Sequence, residues 1–134
     1  MIKLTVLSSS QGQSFSDRGP EKKFDLEDRT LQFSKDCADL CQAFIKDIIR
    51  AEFVTQLIRS SSLVGASYRE ASEAVSRKEF FHRIGIARRE SKESGYWLRL
   101  LRHSNREQGN QIDRLIDESD QLLRIFSSIS KGDH

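Results

Sequence analysis

Hydrophobic residues recur at alternating steps of three and four in four separate stretches of the chain. This spacing puts them on one face of an α-helix. We expect the first helix from about Asp25 to Ile48 and the second from about Glu52 to Val75. The third begins at Ser76 and carries its apolar positions to Leu101. The fourth follows a loop near residues 104–111. Because short connections make successive helices antiparallel, the pattern predicts an all-α, antiparallel up-down-up-down four-helix bundle.

Two points along this pattern are ambiguous. The run Ser60-Ser61-Ser62 suits a loop by composition, but the apolar spacing keeps its phase through it, which favours an unbroken second helix. The connection between the first and second helices has neither Gly nor Pro over residues 46–53, so no residue marks the turn. Ser76 followed by Glu79 forms a capping box and fixes the start of the third helix.

The chain divides into three regions by composition. Residues 1–23 contain a Ser/Gln/Gly-rich stretch and an Asp-Arg-Gly-Pro turn, and we expect a flexible N-terminal arm there. The alternating apolar residues of positions 1–7 could form a strand only if another chain paired with it. Residues 24–130 make up the predicted bundle, and residues 131–134 a short tail.

Composition excludes several protein classes. The chain has 134 residues, a net charge of +2, 37% hydrophobic residues, one Pro and two Cys. No apolar run approaches the roughly 20 residues that a membrane-spanning helix needs. Two Cys are too few for a disulfide-stabilised secreted fold, and the apolar start of the chain is too short for a signal peptide. We therefore predict a cytoplasmic protein that does not associate with membranes.

Positive charge concentrates in the third helix and the loop after it. Residues 66–106 hold 10 basic and 5 acidic side chains. Stepping along one face gives six cations and no acidic residue: Lys78, Arg88, Lys92, Arg99, Arg102 and Arg106. Such a row can follow a phosphate backbone with salt-dependent, sequence-independent affinity. The alternative is an ordinary solvated helix face.

The opposite flank of the third helix carries Ile86, Trp97 and Leu100, which widen its apolar arc. One interpretation is a subunit interface, where Trp is a frequent anchor. The other is packing against two neighbouring helices of the same bundle, and the sequence does not decide between them.

No pattern of catalytic or metal-binding residues emerges. Glu79 and His82 match the Glu-x-x-His motif of di-iron bundles, but no second motif accompanies them. Cys37 and Cys41 could supply half of a metal site, yet buried free thiols are the better interpretation. The chain has no Gly-x-Ser-x-Gly elbow and no Gly-rich phosphate loop. We therefore predict no enzyme, no metal and no cofactor.

Several segments, in order, resemble the four-helix bundle proteins encoded in intervening sequences of bacterial 23S rRNA genes. They are 24–30 (FDLEDRT), 57–71 (LIRSSSLVGASYREA), 76–80 (SRKEF), 84–87 (IGIA), 90–93 (ESKE) and 96–101 (YWLRLL). The similarity extends over roughly residues 24–126. The first connection departs from the Pro- or Gly-bearing turn that is commoner in this family.

The resemblance implies an antiparallel four-helix bundle that assembles as a homopentamer. A related branch comprises the accessory variability determinant proteins of diversity-generating retroelements, which bind a reverse transcriptase and nucleic acid. By this resemblance, the six cations become candidate nucleic-acid contacts, and Tyr96 and Trp97 become structural family positions. The expected function is a non-enzymatic homo-oligomer that binds RNA or DNA. The alternative is a protein-interaction scaffold or accessory subunit that docks a partner such as a reverse transcriptase.

Overall fold

A computed structural model describes residues 25–103 and 105–133. Within these ranges the chain forms four α-helices, α1 (Leu26–Cys41), α2 (Ala51–Ser72), α3 (Arg77–His103) and α4 (Gly109–Ser130), and a short 3₁₀ turn at Gln42–Phe44. The arm predicted for residues 1–23 lies outside the described residues.

The helices pack as an antiparallel bundle, which confirms the predicted fold class. α2 lies against α1 and α3, and α4 lies against α3 and α1. Residue partners run in opposite order along neighbouring helices. A Cβ at Gly65 of α2 would lie 3.3 Å from Thr30 Oγ1 of α1. One turn further along α1, the Ser34 hydroxyl donates to the Ser61 carbonyl oxygen at 2.7 Å.

Side-chain caps start two of the helices. The Asp25 carboxylate accepts a hydrogen bond from the Asp28 N–H at 2.8 Å, and the Ser76 hydroxyl oxygen accepts one from the Glu79 N–H at 3.0 Å. Both satisfy a backbone donor that has no partner inside the first turn of its helix. The predicted start of the third helix is confirmed.

The predicted end of the first helix at Ile48 is wrong, because α1 ends at Cys41. The Asp47 side chain accepts a hydrogen bond from the Arg50 N–H at 3.0 Å and pairs with the Arg50 guanidinium at 2.6 Å. An Asp side chain that bonds the backbone a few residues on makes a turn without Gly or Pro. Ile48 and Val75, expected inside the bundle, are 88% and 90% exposed because both lie in connections.

Small residues let the middle helices approach closely. α2 continues without a break through Ser60-Ser61-Ser62, as the apolar spacing predicts. The Ser94 hydroxyl of α3 donates to the Ser60 hydroxyl oxygen of α2 at 3.0 Å, in the buried contact between the two helices. Since Ser60 is hydrogen-bonded within the protein, its burial leaves no polar atom without a partner. α3 is thereby held as a rigid helix beside α2.

Candidate nucleic-acid interface

The predicted cations lie on one continuous helix and the connection that follows it. α3 spans 27 residues, which corresponds to about 40 Å at ~1.5 Å per residue. Lys78, Arg88, Lys92 and Arg99 are exposed on α3, and Arg106 is exposed beyond it. Arg102 is half-buried. The row is therefore a surface feature of a rigid element.

The row borders α4. The Arg88 Nε donates to the Ser127 hydroxyl oxygen of α4 at 3.3 Å. Two turns further on, a Cβ at Gly95 would lie 2.9 Å from Ser119 Oγ of α4. The cations thus line one side of the outward α3–α4 groove, and α4 side chains can neutralise or reinforce them.

Two of the predicted cations have carboxylate partners. Arg99 pairs with Asp120 at 2.9 Å, and Arg102 pairs with Asp113 at 2.8 Å. The hydrogen bond to Asp113 raises the pKa of Arg102 above its usual value. Arg102 also donates to the Asn105 carbonyl oxygen at 3.2 Å, which fixes the start of the α3–α4 connection. A phosphate would have to compete with these carboxylates, so this end of the row is the weaker part of the candidate interface.

The other end of the row keeps its charge. Lys78, Arg88 and Lys92 have no carboxylate partner among the residues that the structure describes. Arg106, which lies beyond the opposite end of the row, pairs with no described carboxylate either. Arg89, next to Arg88, is also exposed and pairs with no described carboxylate. Sequence analysis missed it because steps of three and four pass over the second residue of the Arg88-Arg89 pair. The adjacent arginines were the signal that could have found it.

Arg124 of α4 adds a cation from the neighbouring helix. Arg88 lies beside Ser127, and Gly95 lies beside Ser119. Lys92 falls between Arg88 and Gly95 on α3, and Arg124 falls between Ser119 and Ser127 on α4, so the two cations lie at about the same level of the groove. Arg124 is exposed and pairs with no carboxylate in the described part of the chain. We call these five residues the cationic patch: Lys78, Arg88, Arg89, Lys92 and Arg124.

The flank with Ile86, Trp97 and Leu100 borders α2. All three side chains are half-buried, and the Trp97 ring lies 6.2 Å from the Phe53 ring of α2. Nearby, Glu90 is only 5% exposed and lies 3.5 Å from the Arg59 guanidinium. Contacts within the bundle therefore account for the burial of Trp97. The assignment of the three residues to a subunit interface stays a prediction.

The two cysteines are buried free thiols, as predicted. Burial raises the pKa of the Cys41 thiol to about 11 and that of Cys37 well above its usual value. Thiolate is the nucleophile and metal ligand, so both side chains act as small core residues at neutral pH. Residues 25–103 and 105–133 contain no group of three or more His, Cys, Asp or Glu that could hold a metal ion.

No helix in the described part of the chain is both long enough and apolar enough to span a membrane.

Comparisons with known proteins agree with this architecture. A family model described as 23S rRNA-intervening sequence protein matches residues 22–128. One similar solved structure is a Bacteroides thetaiotaomicron protein of unknown function from the S23 ribosomal protein family. It is 28% identical with a TM-score of 0.72, and the match covers 78% of this chain and 97% of that one. A comparison with curated protein sequences finds no match.

Proposed function

The chain belongs to the family of 23S rRNA-intervening sequence proteins, and on this basis we propose that it is a non-enzymatic, cytoplasmic homo-oligomer that binds RNA or DNA through the cationic patch. The observation that carries the proposal is the set of four cations without carboxylate partners between Lys78 and Lys92 on one rigid helix. The resemblance of the sequence to this family supports an assembly of five chains.

The arrangement suits a phosphate backbone. The four cations lie within a stretch of 15 residues of α3, from Lys78 to Lys92. The ends of this stretch are about 21 Å apart at ~1.5 Å per residue. Phosphates that bind there displace condensed counterions, and no internal ion pair has to break first. In an oligomer the patches of several copies would add their fields and increase the attraction. These contacts carry no base readout, so the expected affinity depends on salt more than on sequence.

This proposal ranks the six cations predicted from the sequence. Lys78, Arg88 and Lys92 carry most of the binding, together with Arg89. Arg99 and Arg102 contribute less because Asp120 and Asp113 already neutralise them. Arg106 lies in the connection at the far end of α3 and extends the contact only for a long nucleic acid.

A charge-neutralising variant tests the patch. We expect Lys78→Gln, Arg88→Gln, Arg89→Gln and Lys92→Gln, made together, to weaken binding of mixed-sequence RNA or DNA by roughly 100-fold at low salt, since about four phosphate contacts are lost. Fluorescence anisotropy with labelled oligonucleotides measures the affinity. Unchanged helical circular dichroism shows that the fold is retained, because the substituted side chains are exposed.

The matched control removes four exposed cations elsewhere: Lys35→Gln, Lys46→Gln, Arg69→Gln and Arg114→Gln. It changes the net charge equally and is expected to reduce affinity only slightly. Equal losses in both variants would show that net charge rather than the patch governs binding. No measurable binding by the unmodified protein would contradict the proposal, and a protein partner retained after nuclease treatment would support the scaffold alternative.

A further inference from the structure

Tyr96 of α3 is an aromatic side chain that the bundle leaves open to solvent. It is 58% exposed. The other aromatic side chains in the described part of the chain are buried or half-buried. Packing inside the bundle therefore accounts for those rings, but it does not account for this one.

Tyr96 shares its side of α3 with the cationic patch. At 100° per residue, its side chain projects about 40° from that of Lys92 and about 20° from that of Arg89 around the helix axis. Alternating steps of four and three connect the whole line along this side: Lys78, His82, Gly85, Arg89, Lys92 and Tyr96. Apart from Gly85, each member is exposed. The ring thus lies at one end of the patch, beside two cations that have no described carboxylate partner.

A neighbouring ring holds Tyr96 in place. The ring centroids of Tyr96 and Trp97 are 5.0 Å apart and the ring planes meet at 81°, an edge-to-face contact. Trp97 is half-buried and lies 6.2 Å from the Phe53 ring of α2. In an edge-to-face pair at least one face of the Tyr96 ring stays clear of Trp97. The result is a positioned ring with an open face, which loses little freedom when a ligand stacks on it.

The charges around the ring favour a phosphate. Glu93, the exposed carboxylate of α3 nearest to Tyr96 in the sequence, lies 4.0 Å from the Arg59 guanidinium, which offsets its charge. Lys92 lies one turn before Tyr96, about 6 Å along the axis at ~1.5 Å per residue. This distance is comparable to that between the phosphate and the base of one nucleotide. A phosphate at Lys92 therefore leaves its base within reach of the Tyr96 ring.

We propose that Tyr96 stacks against an unpaired base, so that single-stranded nucleic acid is the ligand that this surface fits. In a closed duplex each base is already stacked between its neighbours, whereas a single strand can turn a base onto an aromatic side chain. Every base has a π-face, so the stacking adds affinity without sequence preference. This inference rests on the proposed function, because it names the form of nucleic acid that the same patch binds.

Substitutions of Tyr96 in the full-length chain test the stacking. Tyr96→Ala is expected to weaken binding of an oligothymidine strand by roughly 5- to 150-fold, the effect of losing one stacked base. Affinity for a duplex of the same length should change little, because the duplex offers only its phosphates. Tyr96→Phe keeps the ring and should keep the affinity for the strand. Fluorescence anisotropy at one low salt concentration measures each affinity.

A strand without bases separates stacking from other effects. An abasic oligonucleotide of the same length carries the same phosphates, and Tyr96→Ala should bind it as well as the unmodified protein does. Ile48→Ala is the control variant, because it truncates a hydrophobic side chain that is 88% exposed in the α1–α2 connection, away from the patch. It should leave all three affinities unchanged.

The outcomes separate this inference from the proposed function. If the unmodified protein binds neither strand, duplex nor abasic oligonucleotide, both are overturned. If Tyr96→Ala leaves the affinity for the strand unchanged, or weakens all three ligands equally, the stacking is overturned and binding through the cationic patch still stands. A loss with Tyr96→Phe as large as that with Tyr96→Ala also overturns the stacking, because the ring is then not what the strand contacts.

Discussion

Phe126→Ala is expected to lower the free energy of unfolding by about 3–5 kcal/mol. Phe126 of α4 is completely buried, and its ring lies 6.1 Å from the ring of Tyr68 of α2, which is also buried. The two rings meet across the interior between helices that are not neighbours in the bundle. Truncation to Ala loses the transfer free energy of the ring and leaves a cavity that four packed helices can close only in part. Urea unfolding followed by circular dichroism at a fixed protein concentration measures the change.

Val75→Ala is the matched control for this substitution, because Val75 is 90% exposed and lies outside the helices. Its unfolding free energy should stay close to that of the unmodified protein. If Phe126→Ala costs less than about 1 kcal/mol, the ring does not occupy the central position that the structure gives it.

Gly95→Leu is expected to destabilise the protein by about 1–3 kcal/mol, the range for overpacked interiors. A Cβ at Gly95 would lie 2.9 Å from Ser119 Oγ of α4 and 2.9 Å from an Arg99 guanidinium nitrogen. The Arg99 guanidinium can move aside, but Ser119 is a short side chain held close to the α4 backbone, so a leucine is expected to push α3 and α4 apart in the middle of their contact. The separation also disturbs the Arg99–Asp120 pair. The decrease in the midpoint of urea unfolding reports the loss of stability.

Gly85→Leu is the control on the same helix. A Cβ at Gly85 would have no heavy atom within 4 Å, so the side chain starts in open space and the substitution is expected to gain helix propensity. We expect a stabilisation of up to about 1 kcal/mol. Equal destabilisation by both substitutions would contradict the close approach of α3 and α4 at Gly95.

Much of the fold can be predicted from the sequence, because helix formation depends on local spacing. The four apolar rows locate the helices, and Ser76 with Glu79 marks the start of α3. The end of α1 could not be predicted in this way. The apolar row continues to Ile48, and the turn depends on the Asp47–Arg50 contact, which replaces the usual Gly or Pro signal.

Less of the candidate site could be predicted, because charge neutralisation depends on tertiary contacts. The spacing on α3 finds Lys78, Arg88 and Lys92, but it gives Arg99 and Arg102 the same weight. Their partners lie on α4, whose register against α3 is known only from the fold.

The salt dependence of binding tests the central claim, that the cationic patch contacts phosphates, most directly. Affinity for duplex nucleic acid is measured at several salt concentrations for the unmodified protein and for the variant that changes Lys78, Arg88, Arg89 and Lys92 to Gln. Since each phosphate contact contributes about 0.9 to the slope of log affinity against log salt, the account predicts a slope roughly 3–4 smaller in magnitude for the variant. Equal slopes for the two proteins would contradict it.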